Sequence, residues 1–460
     1  MNVYRTEYPP SPSRRGRRSR SARRLLPLAV AVLLPLAACD DDPSEPVEPT
    51  TFQVTLENMS ADYGLIASGA FDTPVGEAAA APAASGMAYE ASFAAGVGHR
   101  LFFATMFVQS NDFFYAPDEN GIELYDGAGM PVTGDITGQV QLWDAGTETD
   151  EEPGVGANQA PRQAGADTGD ADGDNTVRLA TDASGNIDPV ASTILVTLTY
   201  DGNHQFTVRI ENIAADMSTS GGDVPVLISP GAFAVGAEAG ALFTEDAPDL
   251  GLGLEAIAED GDPSGLAADL GMDTGVTTPI APGAWAVHSS GTMMFAAGQA
   301  DAGLGLEALA EDGDPAPLGA SIAGATGILS SGVFNTPVGG AGAAPALPGE
   351  SYSFMVTAEP GHLLSFATMF VQSNDAFYAP DEAGLPLFSG TTPVSGDVSA
   401  QVMLWDAGTE ENQPPGVGSD QAPRQAGPDT GTDEGGNVRL IDDGFTYPMG
   451  VLRVTITPVS

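Results

Sequence analysis

The chain has 460 residues, 62 of them acidic and 15 basic, for a formal net charge of −47 at pH 7. Every basic residue is arginine, and a surface this acidic repels nucleic acid, whose binding needs Lys and Arg to displace counterions. A single cysteine excludes a disulfide framework, so the fold must be held by its core or by metal.

The N-terminus reads as an export signal. Eight arginines lie between Arg5 and Arg24, followed by the apolar run Leu25 to Ala38 and then Cys39. A basic segment, a short apolar one and small residues make a secretory signal peptide over 1–38, too short for a spanning helix. Leu36-Ala37-Ala38-Cys39 resembles a bacterial lipobox, which implies cleavage before Cys39 and lipidation there. The anchor then holds a membrane, because each buried methylene contributes about 0.8 kcal/mol and two or three acyl chains suffice. The expected location is outside the cytoplasm, on a membrane facing the periplasm or the cell exterior. Residues 39–51, rich in Asp, Glu and Pro, read as an extended tether. Without residues 1–38 the chain keeps 61 acids against 7 arginines, a net charge of −54. Such a surface suits a salty medium, a store of divalent cations, or both.

Beyond the tether the pattern has period two. Thr51 to Glu57, Phe206 to Glu211 and Val451 to Thr457 alternate apolar and polar residues, the mark of half-buried strands. Leu101 to Val108 and Thr193 to Thr199 read as more deeply buried strands, and Gly, Pro, Asn and Asp clusters separate all of them. Short strands with such turns predict an all-β protein of antiparallel sandwiches.

Internal repeats set the domain plan. Phe103 to Asp112 recurs letter for letter as Phe366 to Asp375, Leu142 to Glu148 as Leu404 to Glu410, and Gln159 to Gly165 as Gln421 to Gly427. The offset of 262 or 263 residues predicts one module duplicated, over 52–203 and 204–460. The second is longer because residues 225–330 carry their own repeat at an offset of 52: Ile228 to Val235 returns as Ile280 to Val287, and Gly251 to Pro263 as residues 303 to 315. Leu254 to Glu259 and Leu306 to Glu311 read as short helical turns in inserts that decorate one edge of the second sandwich.

Each copy places an Asp after Val-Gln-Ser-Asn and, about thirty residues on, an Asp and a Glu four apart across Ala-Gly-Thr. If these loops meet, three carboxylates converge, and at about 4 Å each pair repels by on the order of 4 kcal/mol at an effective dielectric near 20. A hard divalent cation relieves that repulsion, and Ca²⁺ takes six to eight oxygen ligands from such loops. Solvated turn-capping acids are the alternative.

Ser110-Asn-Asp-Phe-Phe114, Leu142-Trp-Asp-Ala-Gly-Thr-Glu148 and the closing Gln-Ala-Pro-Arg-Gln together resemble the spondin N-terminal domain, over most of both modules. That resemblance implies two tandem C2-like antiparallel β-sandwiches that bind Ca²⁺ through Asp112, Asp144 and Glu148 in the first copy and Asp375, Asp406 and Glu410 in the second. It also implies adhesion to an extracellular matrix or envelope ligand, protein or glycan. The chain departs from the family's Ser-Pro-Asp-Trp and Trp-Asp-Ala-Gly-Thr-Asp elements at Asn111 and Glu148, and it lacks the family's cysteine pairs.

Other motifs carry less. Asp170-Ala-Asp-Gly-Asp-Asn175 imitates the start of an EF-hand loop but has Thr181 where the twelfth-position Glu belongs. Glu259-Asp-Gly-Asp262 and Glu311-Asp-Gly-Asp314 suit turns or a weakly held ion. Arg162, Arg178, Arg424 and Arg439 read as ties for acidic loops, Trp143 and Trp405 as core anchors, and His99 and His362 as strand-end residues. No Gly-x-Ser-x-Gly elbow, His-Glu-x-x-His, P-loop or dinucleotide fingerprint occurs, so the chain reads as a binding protein and not an enzyme. A carbohydrate-active enzyme using the loop acids and a passive ion-buffering envelope protein are the competing readings. Replacing Cys39 by Ser is expected to release the protein from detergent-extracted membranes or block its processing; unchanged partitioning contradicts the lipid anchor.

Overall fold

A computed structural model describes residues 48–181 and 187–459; the signal segment, Cys39 and most of the tether lie outside the described residues. Residues 47–460 form one compact unit. With 36% strand and 10% helix the protein is all-β, built from antiparallel sheets. No helix among the described residues is long and apolar enough to cross a membrane.

Two sandwiches account for nearly all of it. In the first, a four-stranded sheet ordered Ala88–Ala94, Gln205–Asn212, Ile194–Gly202, Gly134–Asp135 faces a larger sheet. That larger sheet is ordered Leu65–Phe71, Ile228–Gly236, Arg100–Phe107, Phe113–Pro117, Val140–Asp144, Arg178–Leu179. The alternation read in the sequence sends Phe206, Val208 and Ile210 inward against Phe103, Tyr115 and Phe233, all buried. The second sandwich repeats the plan. Ser351–Ala358, Thr50–Asn58, Leu452–Pro458 and Gly396–Asp397 form the smaller sheet. Ile328–Phe334, Ile280–His288, Leu363–Phe370, Ala376–Pro380, Val402–Asp406 and Arg439–Leu440 form the larger one.

The strands do not respect a boundary at 203/204. Ile194–Gly202 and Gln205–Asn212 are a hairpin running across it, and Gln205–Asn212 also pairs with Ala88–Ala94. Ile228–Gly236 lies between Leu65–Phe71 and Arg100–Phe107, so the first half of the duplicated insert completes the first sandwich. Thr50–Asn58 leaves its sequence neighbours and pairs with Ser351–Ala358 and Leu452–Pro458 at the far end of the chain. It occupies in the second sandwich the place that Gln205–Asn212 fills in the first. Both strands carry the same alternating pattern, so local reading could not tell which sheet each one joins.

The four longer helices among the described residues are likewise shared out, one pair to each sandwich, and they cover a face instead of decorating an edge. Leu254–Asp260 and Ser264–Met272 pack Leu254, Ile257, Leu266 and Leu270 on the outer face of the first large sheet, against Phe114 and Trp143. Leu306–Asp312 and Ala316–Ile322 do the same over Phe377 and Trp405. Both tryptophans are thus core anchors, their indole N–H groups donating to Ala116 O at 3.2 Å and Ala379 O at 3.3 Å.

A fragment of residues 60–275 contains every strand and helix of the first module and is expected to melt cooperatively on its own. Residues 52–203 lack two of its central strands and keep one from the other module, and are not expected to do so. Deleting residues 48–58 removes the fully buried Phe52, Val54 and Leu56, each contributing about 1.5–3 kcal/mol, and should destabilise the second module selectively. A cooperative transition for 52–203 contradicts the exchange.

Candidate metal centre

In each module the hairpin turn after the Arg100–Phe107 strand, or after its counterpart Leu363–Phe370, is fixed by its own side chains. Ser110 Oγ donates to Phe107 O at 2.6 Å and accepts from Phe113 N at 3.0 Å, and Ser373 repeats both bonds on Phe370 and Ala376. The next strands then pair antiparallel with Phe113 opposite Asp144 and Ala376 opposite Asp406. This register brings Asp112 beside Asp144 and Asp375 beside Asp406.

All four are buried. Asp112 Oδ2 accepts from Thr147 N at 2.9 Å, Thr147 Oγ1 at 3.2 Å and Glu148 N at 3.1 Å. Asp375 Oδ2 accepts the same three bonds, at 2.8, 3.3 and 3.3 Å. The other oxygen of each, Asp112 Oδ1 and Asp375 Oδ1, is buried without a partner. Asp144 Oδ1 accepts from Gly146 N at 2.7 Å, and Asp406 Oδ1 from Gly408 N at 2.7 Å. The turn needs glycine: Gly146 and Gly408 have φ of +70° and +72°, and a Cβ on Gly146 would lie 2.3 Å from Thr176 O.

Oxygens of Asp112, Asp144 and Asp150 lie within 4.8 Å of one another, as do those of Asp375, Asp406 and Glu434. At that spacing each like-charge pair repels by about 3–4 kcal/mol at an effective dielectric near 20. Arg178 offsets part of this, bonding Asp144 at 2.8 Å and Asp172 at 2.7 Å; Arg439 bonds Asp406 at 2.7 Å and Glu434 at 2.9 Å. The EF-hand-like segment is therefore the rim of this site, its Asp172 and Asp174 both paired with Arg178.

Burial, and then the neighbouring carboxylate Asp144, pushes Asp112 up to about 7; burial and then Asp406 do the same to Asp375. Asp144 rises to about 6 through burial and then Asp150, and burial raises Asp406 as well. One arginine per site does not cancel the accumulated charge.

Glu148 and Glu410 turn away from this cluster. Glu148 Oε1 accepts from Gly169 N at 2.6 Å and Oε2 from Asn111 Nδ2 at 3.1 Å; Glu410 bonds Gly431 N at 2.7 Å and Asn374 Nδ2 at 3.3 Å. The two departures from the spondin pattern, Asn111 and Glu148, thus contact each other. The longer glutamate reaches an amide that proline could not offer. Glu148 joins Asp167 and Glu259 in a group of its own. Asp150, Asp167, Asp429 and Glu434 were not singled out in the sequence, where acids are everywhere and only the repeated motifs stand out.

The remaining motif residues support these loops. Gln159 Oε1 accepts from Gly154 N at 3.0 Å, and Arg162 Nε donates to Gly156 O at 2.7 Å, with Gln421 and Arg424 doing the same at 3.2 and 2.7 Å. His99 Nδ1 and His362 Nδ1 accept turn amides at 3.0 Å, from Gly96 and Glu359. A comparison of the chain with protein-family models gives no match, and neither does one with curated proteins.

The pH dependence of stability follows from the raised carboxyls. An ordinary aspartate ionises near 4 in the unfolded chain, whereas Asp112 and Asp375 hold their protons to about 7 in the fold. Unfolding therefore releases protons between about pH 4 and 7, so stability falls as pH rises through that window and gains nothing below it. In chelator the melting temperature is expected to drop from pH 5 to pH 8 at constant ionic strength, with a shallower slope in Asp112→Asn with Asp375→Asn. An identical slope in the double variant contradicts this assignment.

Proposed function

We propose that the chain is an exported, lipid-anchored protein whose two β-sandwich modules each bind Ca²⁺ at the end of the large sheet, and that it serves in adhesion to matrix or envelope material. The observation that carries the metal reading is the unpartnered, buried carboxylate oxygen that recurs at Asp112 and Asp375. A buried acceptor without a donor costs about 1–3 kcal/mol, more when charged, and a hard cation satisfies it. Asp144 and Asp406 stand beside it with Asp150 and Glu434. Export and anchoring rest on the N-terminal segment and Cys39, and adhesion rests on the spondin resemblance.

The modules should differ in affinity. Where the first has Asp150, the second has Asn412, whose Nδ2 donates to Asp406 Oδ2 at 2.7 Å and whose Oδ1 is without a partner. An amide oxygen still suits Ca²⁺ but adds no charge, so the first module should bind more tightly.

Calorimetry of residues 47–460 after chelation is expected to show saturable Ca²⁺ binding, with affinity on the order of 10⁻⁴ to 10⁻³ M as in extracellular modules. A hundredfold excess over the dissociation constant should stabilise the fold by about 2.7 kcal/mol per site. Asp112→Asn with Asp375→Asn should lose one ion per module and, being relieved of repulsion, melt above the parent when both are metal-free. Solvated turn acids would show neither effect. An absence of saturable binding in the parent overturns the proposal.

A further inference from the structure

A second group of acids gathers where the helical layer meets the acidic loop, part buried and part exposed. On Leu254–Asp260, the residues facing the sheet are Leu254, Ile257 and Ala258, and Glu259 is buried with them at 2% exposure. Glu311 holds the same place on Leu306–Asp312, also at 2%. Glu259 Oε1 and Glu311 Oε2 have no hydrogen-bond partner. A carboxylate on the core-facing side of a helix, with one oxygen unsatisfied, is costly unless something pairs with it.

The groups facing it are acids and one hydroxyl, that of Thr147 at Glu259 and of Thr409 at Glu311. Oxygens of Glu148, Asp167 and Glu259 lie within 4.8 Å of one another, and so do those of Glu307, Glu311 and Asp429. Asp167 and Asp429 are held in the left-handed region, at φ of +50° and +53°. Glu148 approaches its loop so closely that a Cβ on Gly169 would sit 2.2 Å from the carboxylate; Gly431 stands in the same relation to Glu410. The helix end is pinned to the same loop, Gln163 Nε2 donating to Asp260 Oδ1 at 2.5 Å and Gln425 Nε2 to Asp312 Oδ1 at 2.8 Å. In the second module these acids line a cleft of about 250 Å³, bounded by Glu307, Glu311, Asp312 and Asp429, which is ample for a cation with waters.

We infer that each module has a second, separate position for a hard divalent cation, Ca²⁺ by its all-oxygen donor set, held by Glu259, Glu148 and Asp167 in the first module and by Glu311, Glu307 and Asp429 in the second. An ion there ties the helical layer to the acidic loop, linking Glu259 to Glu148 and Asp167 in the first module and the Leu306–Asp312 helix to Asp429 in the second. This goes beyond the sheet-end sites and does not depend on the adhesion role.

The test is a count of bound ions on residues 47–460 by equilibrium dialysis against Ca²⁺, with calorimetry to separate classes of site. The parent is expected to bind four ions. Glu259→Gln with Glu311→Gln should bind two, retaining those removed by Asp112→Asn with Asp375→Asn. Asp167→Asn with Asp429→Asn is the second variant; asparagine tolerates the left-handed backbone, so it keeps the fold while removing two carboxylates, and it too should bind two. Two ions in the parent, with the glutamine and Asp167/Asp429 variants unchanged, overturns this inference and leaves the sheet-end sites standing. Loss of all binding in the glutamine variant also overturns it, since the positions would then not be separate.

Discussion

Carboxylates pressed together where water cannot reach them are the constraint on which this structure turns. Asp112 and Asp144, and Asp375 and Asp406, are brought side by side by strand register, and the backbone amides of a tight turn orient them. Hydrogen bonds satisfy one oxygen of Asp112 and of Asp375 and leave the other bare. Arg178 and Arg439 soften the repulsion from the rim but cannot neutralise it, being bound to further acids on their outer side. Burial and the neighbouring carboxylate raise Asp112 and Asp375, so a proton or a cation relieves the repulsion there.

The chain path gives this site its setting. Thr50–Asn58 closes the sandwich built from the last 180 or so residues, so the two modules are laced together instead of merely joined. Gly96 packs against Val417 closely enough that a Cβ would meet its carbonyl at 2.5 Å, a second tie between modules. A body laced in this way keeps its two acidic loops in fixed relation.

Much of this architecture is legible in the sequence. Alternation in Phe206 to Glu211 and Val451 to Thr457 placed strands correctly, because one face of each sheet is buried and the other is not. Leu142 to Glu148 and its copy marked the site, because a tight turn with Gly146 at positive φ tolerates little change. What could not be read was partner choice. Thr50–Asn58 and Gln205–Asn212 present the same pattern to any sheet edge, and only long-range packing decides between them. Nor could the sequence show that Glu148 faces Glu259 and not Asp112, since that follows from the helical layer folding back over the large sheet.

Diffraction from crystals grown with millimolar Ca²⁺, measured at a wavelength where calcium scatters anomalously, tests the central claim most directly. The account predicts an anomalous peak in each module within about 2.3–2.6 Å of Asp112 Oδ1 and of Asp375 Oδ1. Ordered water alone beside these oxygens, with Arg178 and Arg439 unmoved and no anomalous signal, would contradict it.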